Sequence, residues 1–216
     1  MRQSVIHWLK QEWLYLLLCL VNTLVFFWLY PRLPQMVPNS IGFSGQIQSY
    51  ASKSITWLTA AIPWLTLLGF SLLPLLDPLR NNYRRFSNIY FLLKGLAVIL
   101  VIALHNTMIM LAFYPNLHQR FPSIIMAILS LMCLTMGNYM PSVKRNFYIG
   151  FRTPWALLSE ENWDRTHRLG GRLMMICGVA ALLMALLNWP IASFVGVMTG
   201  ALLPCAYSFW LFSRGI

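Results

Sequence analysis

Three side chains of the types that bind metals or transfer protons stand at helical spacing in one short segment. Glu160, Asp164 and His167 fall at positions i, i+4 and i+7, which places them on one face of a helix. Two carboxylates and an imidazole can hold a divalent metal, but no second histidine or cysteine completes the set. The favoured interpretation is that Glu160 and Asp164 form salt bridges with the surrounding arginines, which are Arg152, Arg165, Arg168 and Arg172. No metal or other cofactor is therefore predicted.

Enzyme motifs are missing from the sequence. It contains no nucleophile elbow, no phosphate-binding loop and no H-E-x-x-H, so the sequence does not predict an enzyme. A membrane-embedded metal enzyme that uses the three residues above remains an alternative.

A small transporter or channel is the first alternative, ahead of the enzyme, because His105 and Asn106 lie in an apolar run where polar groups need partners. His105 could relay protons or line a pathway, but a hydrogen bond to a neighbouring helix is favoured. No carboxylate falls in the middle of an apolar run, which argues against carboxylate-coupled transport. Lys94 stands near the end of its run, and we expect it to extend towards the membrane surface.

Two helix-start signals occur in series around the candidate residues. Thr153 precedes a proline suited to a first helical position, and Ser159 precedes two glutamates suited to a helix N-terminus. The second signal predicts a helix from Ser159 to about Gly170. Neighbouring tryptophans and leucines suggest that this helix lies in the membrane interface before the chain re-enters the bilayer. Glu161 and Arg165 are expected to pair at i,i+4.

The composition identifies the protein class. Of 216 residues, 58% are hydrophobic and only 10% are charged, whereas about a quarter of residues are charged in soluble domains. Continuous apolar runs, rather than alternating ones, argue against a membrane β-barrel and predict an all-α, polytopic membrane bundle. Six membrane spans are predicted, at residues 13–30, 55–76, 89–114, 123–136, 169–187 and 191–212. The fourth is short, but residues 137–139 can extend it to the interface.

The chain divides into three predicted regions. Residues 1–76 contain two spans with a loop between them, residues 77–136 contain the middle two spans, and residues 137–216 contain a polar segment and the last two spans. We name the polar segment, residues 137–171, the island.

Basic residues are concentrated in alternate connections. Thirteen of the 16 fall on one side: Arg2, Lys10, Arg80, Arg84, Arg85, Lys94, Lys144, Arg145, Arg152, Arg165, Arg168, Arg172 and Arg214. The other three are Arg32, Lys53 and Arg120. Because lysine and arginine resist translocation, this asymmetry places both termini and the island in the cytoplasm and residues 33–54 and 114–120 outside the cell membrane. The net charge of +11 is explained in this way, and nucleic-acid binding is not predicted.

The outer loop, residues 33–54, is rich in Pro, Gly, Ser and Gln, which predicts extended or turn-like structure. It contains no histidine or carboxylate, so catalysis there is not expected. It is either a solvated connector or a surface that contacts a ligand.

The island resembles the signature of the SdpI family, the immunity proteins against sporulation-delaying-type peptide toxins. The residues that carry the resemblance are Gly137-Asn138-Tyr139-Met140-Pro141, the run from Asn146 to Trp155, Ser159-Glu160-Glu161, Trp163, and the run from Thr166 to Gly171. The outer loop resembles the domain of unknown function that commonly precedes this signature, through Leu33-Pro34, Val37-Pro38, Gly45 and Lys53. It departs from that pattern at Ser40, Ile41 and Gln48.

The resemblance implies a membrane protein that protects its host from a secreted, membrane-active peptide. It also implies a possible second role, the sequestration of a cytoplasmic transcriptional repressor. The implied partners are thus a peptide toxin, a cytoplasmic repressor and membrane lipid, and the sequence leaves the oligomeric state open.

The predicted site residues follow from the same resemblance. In the island they are Asn138, Pro141, Asn146, Gly150, Arg152, Thr153, Pro154, Trp155, Ser159, Glu160, Trp163, His167, Arg168, Gly170 and Gly171. In the outer loop they are Pro34, Pro38, Gly45 and Lys53. Among them we expect residues 152–155 to form the turn that shapes the island, and Glu160, Trp163, His167 and Arg168 to form its functional face. The three glycines are expected to serve tight turns or close packing.

Overall fold

The computed structural model describes the backbone of residues 2–216 and the side chains from Glu12 onward. Arg2 and Lys10, which contribute to the predicted charge asymmetry, have side chains outside that range. The elements of the described chain are α1 Arg2–Leu29, β1 Met36–Ile41, β2 Ile47–Ser52, α2 Ile55–Leu76, α3 Ser87–Phe113, α4 Phe121–Tyr139, α5 Pro154–Leu158, α6 Glu160–Leu186 and α7 Pro190–Ser213.

Six of the described helices, all except α5, are long and apolar enough to cross a membrane. The prediction of a polytopic helical membrane protein with six spans is confirmed. The fourth span reaches Tyr139, as its polar extension predicts.

The predicted helix from Ser159 to Gly170 is present, but it does not end there. It continues without a break to Leu186 as α6, so the segment is the polar start of a spanning helix and not a separate helix lying along the membrane. Gly170 and Gly171 lie within the continuous helix, and their lack of a side chain allows other elements to pack closely against it. A β-carbon on Gly171 would stand 2.6 Å from the carbonyl oxygen of Gly137 in α4.

The two ends of the bundle differ in structure. One end carries β1, β2 and the short turn at Pro115–Gln119, and we name it the hairpin end. The other carries the α2–α3 connection and the island, and we name it the island end.

The outer loop is extended, as predicted, and forms an antiparallel hairpin. Met36 pairs with Ser52 and Ile41 pairs with Ile47, with irregular register between Pro38 and Ile41. Gly45 at the tip has a φ of +81°, and its carbonyl oxygen accepts a hydrogen bond from His118 Nδ1 at 2.8 Å. The hairpin tip is therefore fixed to the neighbouring connection.

Polar residues inside the bundle find partners on other helices. Asn106 donates to the Asn22 side-chain oxygen at 2.8 Å, and His105 Nδ1 lies 3.0 Å from Thr59 Oγ1. These contacts confirm the prediction that such residues are bonded between helices.

Lys94 behaves differently from the prediction. Its side chain is buried and forms an ion pair with Glu12 of α1, with both side chains only 5% exposed. The expected extension to the membrane surface is wrong, because a carboxylate on the neighbouring helix compensates the charge within the bundle.

Candidate functional site

In the island, hydrogen bonds from side chains to the backbone take the place of the backbone–backbone bonds of a helix or strand. Asn146 is fully buried, and its side-chain oxygen accepts hydrogen bonds from the backbone N–H groups of Tyr148 at 2.9 Å and Ile149 at 2.6 Å. Its amide group donates to the carbonyls of Lys144 at 2.8 Å and Ile149 at 3.0 Å. One side chain thus satisfies four backbone groups in a loop without helix or strand.

Asp77, at the end of α2, connects the island to the α2–α3 connection. Its buried carboxyl group accepts from the Phe147 backbone N–H at 2.9 Å, the Tyr83 hydroxyl at 2.8 Å and the Leu79 backbone N–H at 2.7 Å. Burial, reinforced by the hydrogen bond to Asp77, raises the pKa of Tyr83, so its hydroxyl remains a donor at physiological pH. Asp77 is not among the predicted residues, although a lone carboxylate directly after an apolar run was a usable signal.

His167 is hydrogen-bonded through both ring nitrogens and fixes the island loop to α6. Its Nε2 accepts from the Phe151 backbone N–H at 3.1 Å, so the ring proton is on Nδ1, which donates to the Trp163 carbonyl at 2.9 Å. The Trp163 ring stacks on the imidazole with centroids 4.0 Å apart, and its indole N–H donates to the Val143 carbonyl at 2.8 Å. Both side chains are buried, so they hold the loop against α6.

Two glycines allow the loop to approach α6 this closely. Gly150 has a φ of +103°, and a β-carbon there would stand 2.2 Å from His167 Nε2. A β-carbon on Gly170 would stand 2.2 Å from the Phe151 ring. The predicted role of these glycines in tight turns and close packing is confirmed.

Both predicted helix caps are present. Thr153 Oγ1 accepts from the Ala156 N–H at the start of α5, and Ser159 Oγ accepts from the Asn162 N–H at the start of α6, each at 3.2 Å. The predicted i,i+4 pair is also confirmed, with Arg165 and Glu161 2.5 Å apart.

The first cap begins a buried chain of hydrogen bonds that reaches α7. The Thr153 and Ser208 hydroxyls lie 2.6 Å apart, and Ser208 donates to Asn162 Oδ1 at 2.7 Å. Thr166 donates to the same oxygen at 3.2 Å, while Asn162 Nδ2 donates to the Ser208 carbonyl at 3.0 Å. Asn162 and Ser208 were missed because each is a single polar residue without a spacing pattern.

This arrangement does not support the candidate metal site at Glu160, Asp164 and His167. Both His167 nitrogens are used within the protein, so His167 is not available as a ligand. Within the described part of the chain, no group of three His, Cys, Asp or Glu residues could hold a metal ion. The predicted salt bridges of Glu160 and Asp164 are also wrong, since the ion pairs among the described side chains are Lys94–Glu12 and Arg165–Glu161.

The predicted functional face is not one continuous surface. Trp163 and His167 are buried, whereas Glu160 and Arg168 are exposed. Arg152 is also exposed, and its guanidinium donates to the Phe147 carbonyl at 3.0 Å. Exposed positions among the predicted island residues are Asn138, Pro141, Arg152, Pro154, Glu160 and Arg168, while Gly150, Trp155 and Ser159 are half-buried.

Comparison with known proteins finds sequence similarity in two regions of this chain. Residues 142–208 match the SdpI/YfhL protein family, and residues 17–67 match a domain of unknown function, DUF1648. The chain is 27% identical over 154 residues to the immunity protein SdpI of Bacillus subtilis (strain 168), a match that covers 69% of each chain. No solved structure matches. The resemblance of the sequence to the SdpI family is therefore confirmed.

Proposed function

We propose that this SdpI-family membrane protein is an immunity protein, which protects its host from a secreted peptide that attacks the membrane. The observation that carries the proposal is the overlap between the resemblance and the architecture. Asn146, Gly150, Thr153, Trp163 and His167 belong to the motif that resembles the family, and they are the residues that shape the island. The name of the Bacillus subtilis relative supports the same function.

We further propose that the hairpin end faces outward and the island end faces the cytoplasm. The basic residues support this orientation, since 16 lysines and arginines are distributed mainly towards the island end, where anionic lipid attracts them. Six spans then leave both termini in the cytoplasm. A secreted peptide would then meet the hairpin end of the bundle first.

In this account the helical bundle connects the two faces. A ligand on the outer face changes the cytoplasmic face only if it binds two states of the bundle with different affinity. The Thr153–Ser208–Asn162 chain supports a route for such coupling, because it joins the island to α7 through buried hydrogen bonds.

We also propose a second role, the sequestration of a cytoplasmic transcriptional repressor. The exposed Arg152, Glu160 and Arg168 support an island surface able to contact a soluble protein through charge. A photo-crosslinking amino acid at Arg168 tests this role. A cross-link to a DNA-binding protein that increases on toxin exposure supports it, and an unchanged pattern argues against it.

Growth protection tests the proposed function itself. Toxin-sensitive bacteria expressing the chain are challenged with a sporulation-delaying-type peptide, with an empty vector as control and membrane insertion verified by immunoblot. We expect the survival curve to shift to higher peptide concentration. Equal survival of vector and inserted protein would contradict the proposal.

A further inference from the structure

A cavity of about 260 Å³ lies between the hairpin and helices α2 and α3. It is partly open to the surroundings, and most of its wall is apolar. Its lining includes Pro38 and Ile41 of β1, Thr59 of α2, and Val101, His105 and Met108 of α3. Helices α2 and α3 thus provide the floor of a site whose roof is the hairpin.

His105 gives this largely apolar cavity a buried polar group, in addition to the lining residues Asn39 and Thr59. The side chain is 3% exposed, and Nε2 has no hydrogen-bond partner in the described part of the chain. The Thr59 hydroxyl donates to the Thr56 carbonyl at 3.0 Å, so it accepts from His105 Nδ1, which carries the proton. His105 Nε2 is therefore a bare acceptor, and leaving it unpaired costs free energy.

The cavity lies in the half of the membrane next to the hairpin. His105 is eight residues before the end of α3 at Phe113, a distance of about 12 Å along the helix axis. Thr59 is four residues after the start of α2. With the hairpin end outward, a peptide embedded in the outer leaflet would reach this depth.

We propose that the cavity binds one large side chain of the peptide, an aromatic group whose N–H or O–H donates to His105 Nε2. This inference rests on the proposed function. Tryptophan and tyrosine combine an apolar ring with a donor that needs a partner when buried, which matches a largely apolar wall with a buried, unpaired acceptor. A lipid acyl chain would contact the apolar wall but leave His105 Nε2 unpaired, so it fits the cavity less well.

The site lies partly outside the family resemblance. Pro38, Ile41 and Thr59 fall within residues 17–67, whereas Val101, His105 and Met108 fall outside both matched regions. The acceptor, His105 Nε2, therefore lies outside the two regions that match family models.

Fragment binding tests the inference directly. The full chain in nanodiscs of phosphatidylethanolamine and phosphatidylglycerol is titrated with 5-fluoroindole and with 5-fluoro-1-methylindole, which lacks the N–H, by fluorine NMR against empty nanodiscs. We expect about tenfold tighter binding of 5-fluoroindole, the value of one well-formed hydrogen bond. His105→Phe should bind both fragments equally, and Val101→Phe, which fills the cavity, should bind neither.

Several results would overturn the inference. These are wild-type binding no stronger than to empty nanodiscs, a preference that survives in His105→Phe, or full binding by Val101→Phe. Lipid retained by the purified wild type but lost from Val101→Phe would assign the cavity to lipid instead.

Cell protection separates this inference from the proposed function. We expect Val101→Phe to insert normally and lose protection. If wild type and Val101→Phe protect equally, the cavity is not the peptide site although immunity stands. If the wild type itself does not protect, the proposed function fails, and the peptide-binding role of the cavity fails with it.

Discussion

The backbone of Gly150 passes so close to the imidazole of His167 that a β-carbon would stand 2.2 Å from Nε2. That approach brings the N–H of the next residue, Phe151, to 3.1 Å from the same nitrogen. The glycine and the histidine therefore act as one unit, which fixes the island loop to the start of α6.

Gly150→Ala should destabilise the protein. Alanine is strained at a φ of +103°, and its methyl group would displace His167, so we expect a loss of about 2 kcal/mol or more. The midpoint of thermal unfolding in detergent measures it. Gly69→Ala is the matched control, because a β-carbon there meets no atom within 4 Å among the described residues. Equal midpoints for the two variants would contradict the role assigned to Gly150.

Asp77→Asn should loosen the island while leaving the six spans intact. The Phe147 N–H and the Tyr83 hydroxyl share Oδ2, while the Leu79 N–H bonds to Oδ1. The amide keeps one acceptor oxygen in place of two, so the three donors cannot all keep their bonds. Limited trypsin digestion of inverted membrane vesicles should cleave the island several times faster. Glu160→Gln, at an exposed carboxylate, should leave the cleavage rate unchanged. A wild-type digestion pattern for Asp77→Asn would remove Asp77 from the account.

The Lys94–Glu12 pair predicts non-additive effects of substitution. Glu12→Gln or Lys94→Met alone leaves a buried charge without its partner and should cost about 3 kcal/mol. The double variant removes both charges and should regain much of this loss. Unfolding midpoints of the four proteins measure the coupling, and a double variant whose loss equals the sum of the singles would argue against a pair.

The proposed orientation predicts which sites react from outside the cell. In a background that lacks Cys19, Cys133, Cys177 and Cys205, a cysteine is placed at Ser44 on the hairpin or at Ser142 in the island, both of which are exposed. A membrane-impermeant maleimide should label Ser44→Cys in intact cells and Ser142→Cys only after permeabilisation. The reverse pattern would invert the topology.

Arg152→Ala should weaken protection without affecting insertion. Arg152 is exposed and anchors the turn before α5 through the Phe147 carbonyl. We expect at least a several-fold drop in the peptide concentration that cells survive, at equal expression. Arg80→Ala removes an exposed arginine from the same end but outside the island, and it should protect like wild type. If Arg152→Ala also protects fully, Arg152 does not belong to the site.

Local signals predicted local structure well. The apolar runs gave six spans, and Thr153 and Ser159 were identified as caps because the cap and its helix are adjacent in sequence. The role of His167 was not predictable from helix spacing, which says which residues share a face but not what covers that face. Here the cover is Gly150 and Phe151, which precede α6.

Contacts across the bundle were the least accessible to sequence reasoning. Lys94 was expected at the membrane surface because its partner, Glu12, is 82 positions away. Asp77 and Asn162 likewise bond to distant elements, Phe147 of the island and Ser208 of α7. Such pairs depend on which helices are neighbours, and hydropathy does not specify that.

Membrane potential shows directly whether this chain protects the membrane from the peptide. Toxin-sensitive bacteria carrying the chain or an empty vector are loaded with a potential-sensitive dye and exposed to a sporulation-delaying-type peptide. We predict that the potential collapses in vector cells and is preserved in cells with the inserted protein. Collapse at the same rate in both, with insertion confirmed, would contradict the claim that this chain protects the membrane from such a peptide.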